Sequence, residues 1–153
     1  MDIFAYEALK EKAHREIDRL RVSQRNLDSV SAIDHALNAA FTIYHLIQWR
    51  HEHFSPGQKI KVHDFISSTK NKGLKILHNI VTANKHVTVT VKFYQEDTTP
   101  QIVDNIIFIC AGDGSILTTG DGKKICSGDS KIDIFFGKKL AVNVLNEALK
   151  EFL

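Results

Sequence analysis

The sequence predicts an α+β protein: an antiparallel helix bundle with a small antiparallel β-sheet, about three or four strands, inserted before a C-terminal helix. Three features of the 153-residue chain carry this expectation. Apolar residues recur at three- and four-residue spacing through the first half. The period changes to two at Val87. A final amphipathic stretch follows the strand-like part.

The first helix is read over residues 2–22. Ile3, Tyr6, Leu9, Ala13, Ile17 and Leu20 make one apolar stripe, and Glu7, Lys10, Glu11, Arg15, Asp18 and Arg19 occupy the other face. A second helix is read from Asn26 to Phe54, with Asn26 or Asp28 as its cap. Val30, Ile33, Leu37, Ala40, Tyr44 and Ile47 form one stripe, and Ala36, Ala39, Ile43 and Leu46 form another. Two apolar faces predict a central helix with several neighbours. Ser55-Pro56-Gly57 ends it. Residues 60–86 read as helical, with a short helix starting near Asp64, a break at Gly73, and a second helix ending near Lys85.

Val87, Val89, Val91 and Phe93 alternate with Thr88, Thr90 and Lys92, the pattern of a half-buried strand. Thr98-Thr99-Pro100 is a turn, and Ile102 to Ala111 is a second strand. Gly112-Asp113-Gly114-Ser115 and Gly120-Asp121-Gly122 are hairpin turns around short strands at 116–118 and 124–126. The last helix is read from Phe136 to Leu153, with Leu140, Val144, Leu145, Ala148 and Phe152 buried. No internal repeat is expected.

The chain is 43% hydrophobic and 25% charged, an ordinary globular composition that suits a single domain over 1–153. A net charge of +2 does not support a nucleic-acid partner, although a local basic face is left open. Arg15, Arg19, Arg21 and Arg25 are read as a solvated face because Glu11, Glu16 and Asp18 interrupt them. No apolar run is long enough for a membrane span, and no secretory signal is read, so the expectation is cytoplasmic. Cys110 and Cys126 then read as reduced thiols, with a disulfide between strands as the lesser alternative.

The polar residues that stand out are histidines. His86 closes an apolar helical stretch just before the strand pattern, and His45 sits among Ile43, Leu46 and Ile47. Their catalytic reading has His45 meeting His86 across the helix interface. Their structural reading makes His45 a hydrogen-bonded core residue beside Trp49 and makes His86 a cap on helix carbonyls. His78, Thr82 and His86 recur at four-residue spacing, bordered by Asn79 and Lys85; such a stripe can place imidazoles around a phosphate or a metal, and its structural reading is a solvated helix face. Asn79, Asn84 and Lys85 are the binding candidates. No metal site is expected: His51 and His53 diverge by roughly 200° on a helix, and no HExxH or paired Cys/His set occurs. No cofactor is implied.

The run Ala39-Ala40-Phe41-Thr42-Ile43-Tyr44-His45-Leu46-Ile47-Gln48-Trp49, followed by Ala83-Asn84-Lys85-His86 and then strands, resembles a group of uncharacterised bacterial and mobile-element proteins. More distantly it is similar to the HEPN helical domains of toxins and phage-defence systems, over roughly residues 26–90. Many HEPN proteins are ribonucleases with an arginine a short interval before a histidine. His86 matches that histidine, but the arginine's place falls near His78 or Asn79. No arginine stands there, so the resemblance implies a helical domain without licensing RNA cleavage, and nucleotide binding by Asn79 and His86, as in inactive family members, is left open.

The function expected first is a small cytosolic, non-enzymatic interaction module, a homodimer, and the second helix with its more than one apolar face is the observation behind that expectation. A HEPN-like ribonuclease or nucleotide- or RNA-binding protein centred on His86 is the alternative, with His45 or His78 as second base. A third reading is a small-ligand pocket between sheet and bundle, lined by Trp49, Phe93 and Phe108.

Overall fold

The computed structural model describes residues 3–54, 61–85 and 100–153. Helix α1 spans Ile3–Arg25, α2 Ser29–Phe54, α3 Val62–Ser68 and α4 Lys72–Lys85. Strands β1 (Pro100–Asn105), β2 (Lys131–Phe136) and β3 (Lys139–Leu140) precede α5 (Ala141–Leu149) and a short 3-10 turn at Lys150–Phe152. The fold is α+β, as the sequence predicts. The strand expected over 87–93 and the residue His86 lie outside the described residues.

The α1–α2 link is short, which forces the two helices antiparallel. Leu27 there adopts a left-handed φ of 58°. The Asp28 amide returns to the Ser23 carbonyl at 3.0 Å, closing α1 with a Schellman motif. A left-handed leucine costs about 1–2 kcal/mol, and its side chain packs on the core in compensation. Asp28 then caps α2 by accepting from the Ser31 amide at 3.0 Å.

Ala32, Ala36, Ala39 and Ala40 of α2 are buried against Ala13, Ile17 and Leu20 of α1 and against α4 and α5. The stripe Ala36, Ala39, Ile43 and Leu46 is thus fully buried, whereas in the other stripe Ala40 and Ile47 are buried, Ile33, Leu37 and Tyr44 are half-buried and Val30 is exposed.

Gly73 does not break a helix. The break lies before it, where Thr69 is extended and Asn71 caps α4 by accepting from the Leu74 amide at 3.0 Å. The Asn71 side-chain amide also donates to the Glu147 carbonyl at 2.8 Å, tying α4 to α5. Gly73 itself is where the two helices touch: a Cβ there would stand 2.6 Å from the Ala148 nitrogen and 2.7 Å from the Val144 oxygen.

The sheet order is β1-β2-β3, all antiparallel, with Ile102 opposite Ile134. The expected strand over 102–111 ends at Asn105, and the helix expected from Phe136 starts at Ala141. In between lies β2, unrecognised in the sequence although Ile132, Ile134 and Phe136 alternate with Lys131, Asp133 and Phe135. Gly137, at φ 61°, makes the tight turn from β2 to β3. Ile132, Ile134 and Phe136 are buried, and the Gln24 side chain donates to the Ile132 carbonyl at 3.0 Å, pinning β2 to the end of α1.

Residues 107–130 overturn the expectation of no repeat. They are three eight-residue repeats, 107–114, 115–122 and 123–130, each ending in Gly-Asp-Gly or Gly-Asp-Ser. Their hydrogen bonds form a closed cycle. Leu117 donates to the Ile109 carbonyl at 2.8 Å, Ile125 to Leu117 at 2.9 Å, and Ile109 back to Ile125 at 3.0 Å. The paired residues cycle in the same way, as Cys110 with Ile116, Thr118 with Lys124, and Cys126 with Phe108. Each turn repeats one bond, from Gly114 to Ala111, Gly122 to Thr119 and Ser130 to Ser127. Gly114 and Gly122 take φ of 84° and 83°, so the Gly-Asp-Gly segments are turns, as expected. Buried Ser130 latches the ring, its hydroxyl accepting from the Ile107 amide at 2.9 Å and donating to the Ile107 carbonyl at 3.1 Å. Cys110 and Cys126 occupy equivalent positions and are both free thiols.

Candidate functional site

His45 is exposed, which corrects its reading as a core histidine. The helical period explains this. The core face of α2 carries Ile43, Leu46 and Ile47, and a residue two steps from either isoleucine is turned by roughly 200°. Trp49 is only half-buried.

His78 takes the inward place instead. It is buried where α4 meets α2, and its Nδ1 shares a hydrogen bond with the Tyr44 hydroxyl at 3.1 Å. Burial pushes the Tyr44 hydroxyl above its ordinary range, so the phenol stays neutral. The exposed His63 ring stands edge-on to His78 at 6.5 Å. Asn79 is buried beside it on α4. Asn84 and Lys85 belong by backbone to the last turn of α4. The α4 stripe therefore faces inward at His78 and Asn79, and His78 lies at the α2–α4 contact. Among the described residues no group of three or more His, Cys, Asp or Glu side chains converges as a metal site would require, and no helix is long and apolar enough to cross a membrane.

A second titratable cluster was not foreseen. Glu16, assigned to the solvated face of α1, is buried in the α1–α2 seam. Its carboxylate accepts from Arg19 at 2.7 Å and lies 2.7 Å from Nδ1 of His35. Burial pushes the Glu16 carboxyl up, but hydrogen bonding and charge from His35 and Arg19 more than offset this, and it sits below its ordinary value. The partner lies on another helix, so spacing in the sequence gives no signal of it.

Two surface features remain. One is the outside of the three-repeat unit. Ile107 is 54% exposed, Ile109 41%, Leu117 39%, and Phe108 and Ile116 37% each. The Phe108 ring carries the Lys124 ammonium at 5.2 Å. Strand β1 adds exposed Ile102 and Val103.

The other is a cleft of about 360 Å³ between the end of α1, strand β2 and the start of α5. It lies between sheet and bundle, where a pocket was expected, but its lining is different. Trp49 and Phe108 do not line it, and Phe93 is outside the described residues. Arg21 and Arg25 come from α1, Lys131 and Asp133 from β2, and Val142 and Asn143 from α5. Arg21 and Arg25 follow one another by one helical turn, the local signal that was available. Lys131 was not legible as their neighbour without β2.

Comparison of the chain with protein-family models, with curated proteins and with solved structures gives no match.

Proposed function

We propose that this protein is a non-enzymatic interaction module that self-associates through its three-repeat β unit. The observation that supports the reading is the exposure of Ile107, Phe108, Ile109, Ile116 and Leu117 on a unit of only 24 residues, 107–130. A segment below roughly 40 residues rarely buries an adequate core of its own, and repeats of this kind bury their apolar faces by packing on a neighbour. The cyclic hydrogen bonds fix the backbone before any partner arrives, so little ordering entropy opposes docking. A second copy offers the same apolar groups and forms a closed, isologous contact, as two-fold dimers do.

Light scattering coupled to size exclusion, from low to high micromolar protein, tests this. The full chain is expected to run as a dimer or larger closed oligomer. Leu117→Lys and Phe108→Lys, both at exposed positions, should weaken association at least tenfold, about 1.4 kcal/mol, with unchanged far-ultraviolet circular dichroism. A monomer across the whole range, or association indifferent to both substitutions, overturns the proposal. The described residues lend less to the nucleotide-binding alternative, because His78 and Asn79 are buried and His45 points elsewhere on α2.

A further inference from the structure

We infer that the cleft between α1, β2 and α5 is a binding site for a small organic phosphate. Three cationic side chains, Arg21, Arg25 and Lys131, line it beside the single carboxylate Asp133, so the lining carries a net positive charge. The cations come from two elements far apart in sequence, α1 and β2, and only the tertiary fold brings them to one cavity. Their internal partners leave charge to spare. Arg21 is held by Asp18 at 2.6 Å and Lys131 by Asp133 at 3.4 Å. Arg25 makes no ion pair among the described residues and is exposed.

Guanidinium groups suit the oxygens of a phosphate, to which they donate paired hydrogen bonds. Two guanidinium groups and an ammonium offer more donors than a carboxylate can accept, so a phosphomonoester, with its further terminal oxygen, suits the lining better than a monocarboxylate does. The rest of the cavity describes the body of the ligand. About 360 Å³ is far more than a bare phosphate fills, and it falls in the range of small-molecule sites. Leu140 and Val142, both half-buried, supply an apolar wall for a compact, apolar or aromatic ester group. The floor is rigid, because Ile134 is fully buried and Gln24 is bonded to the β2 backbone. The Gln24 amide nitrogen also approaches Asp133 at 3.4 Å, which holds that carboxylate in place.

Phenyl phosphate is a suitable probe, used with the full chain in calorimetric titration and in amide-resolved nuclear magnetic resonance. Saturable binding is expected, competed by inorganic phosphate, with phenol alone giving none. The side-chain amide signals of Asn143 and Gln24 should move on titration. Arg25→Glu reverses the charge of an exposed residue and should weaken binding at least tenfold while leaving the thermal midpoint near that of the parent. Lys131→Glu, also exposed, should do the same. No saturable binding of phenyl phosphate, or binding that both substitutions leave unchanged, overturns the inference. Neither result bears on self-association through the repeats, which uses other residues.

Discussion

Glu16 shows how one side chain couples the α1–α2 seam to pH. Its carboxyl is lowered in the folded protein, so folding is favoured most when this group is ionised in both states. The stabilisation is therefore complete above the ordinary glutamate value of 4.5 and is lost as pH falls from there through the folded value. Glu16→Gln keeps the shape and removes the charge. Urea unfolding at a series of pH values should show the variant less stable than the parent at neutral pH, by about 1–3 kcal/mol. Its stability should also fall less steeply between pH 5 and pH 3, about where carboxylates titrate. Parallel pH profiles would remove Glu16 from the acid response. In the sequence this glutamate looks like part of a solvated face. What changes its character is His35, which reaches it from α2 at 2.7 Å.

At the scale of elements, α4 and α5 are joined more closely than side-chain packing alone permits. The missing Cβ of Gly73 lets the α4 backbone meet Ala148 and Val144, and Asn71 ties the same end to Glu147. Gly73→Ala trades a helix-propensity gain of about 1 kcal/mol against forced separation of the two backbones. The atoms it would strike are backbone atoms, which cannot swing aside. Net destabilisation of about 1–3 kcal/mol is expected, read from the urea midpoint, and a stabilised variant would show that α4 and α5 can part freely. The helices were legible because their apolar stripes repeat over several turns. The role of Gly73 was not, since a glycine that ends a helix and one that admits a neighbour look alike in one dimension. Strand β2 was missed for a related reason: six residues before a glycine and a helix pattern carry little periodic signal, although Ile132, Ile134 and Phe136 alternate cleanly.

At the scale of the whole molecule, two parts of different character share one chain. The helices and β2 form the buried core, while residues 107–130 are held by backbone hydrogen bonds and the Ser130 latch with little apolar burial. Regions with few buried contacts open at lower free energy than the core. Native-state hydrogen exchange at dilute concentration should show the Ile109, Leu117 and Ile125 amides exchanging together, because their bonds form one cycle. They should exchange through an opening easier than that of Ala36 to Ile43 in α2. Equal protection of the two sets would make the repeat unit part of the same cooperative core.

The sequence by itself determined the α+β class, the two long helices, the Gly-Asp-Gly turns and the C-terminal amphipathic helix, because each rests on local periodicity or on a backbone preference. The eight-residue repeat was also written there, in Gly112-Asp113-Gly114, Gly120-Asp121-Gly122 and Gly128-Asp129-Ser130, but two short glycine turns read separately do not announce a ring. Only the tertiary structure decided which side chains meet. It put His45 in solvent and His78 against Tyr44, buried Glu16 beside His35, closed 107–130 on itself, and set Lys131 across a cleft from Arg21 and Arg25. Periodicity fixes which face of an element is apolar; which polar groups face one another depends on how those elements are stacked.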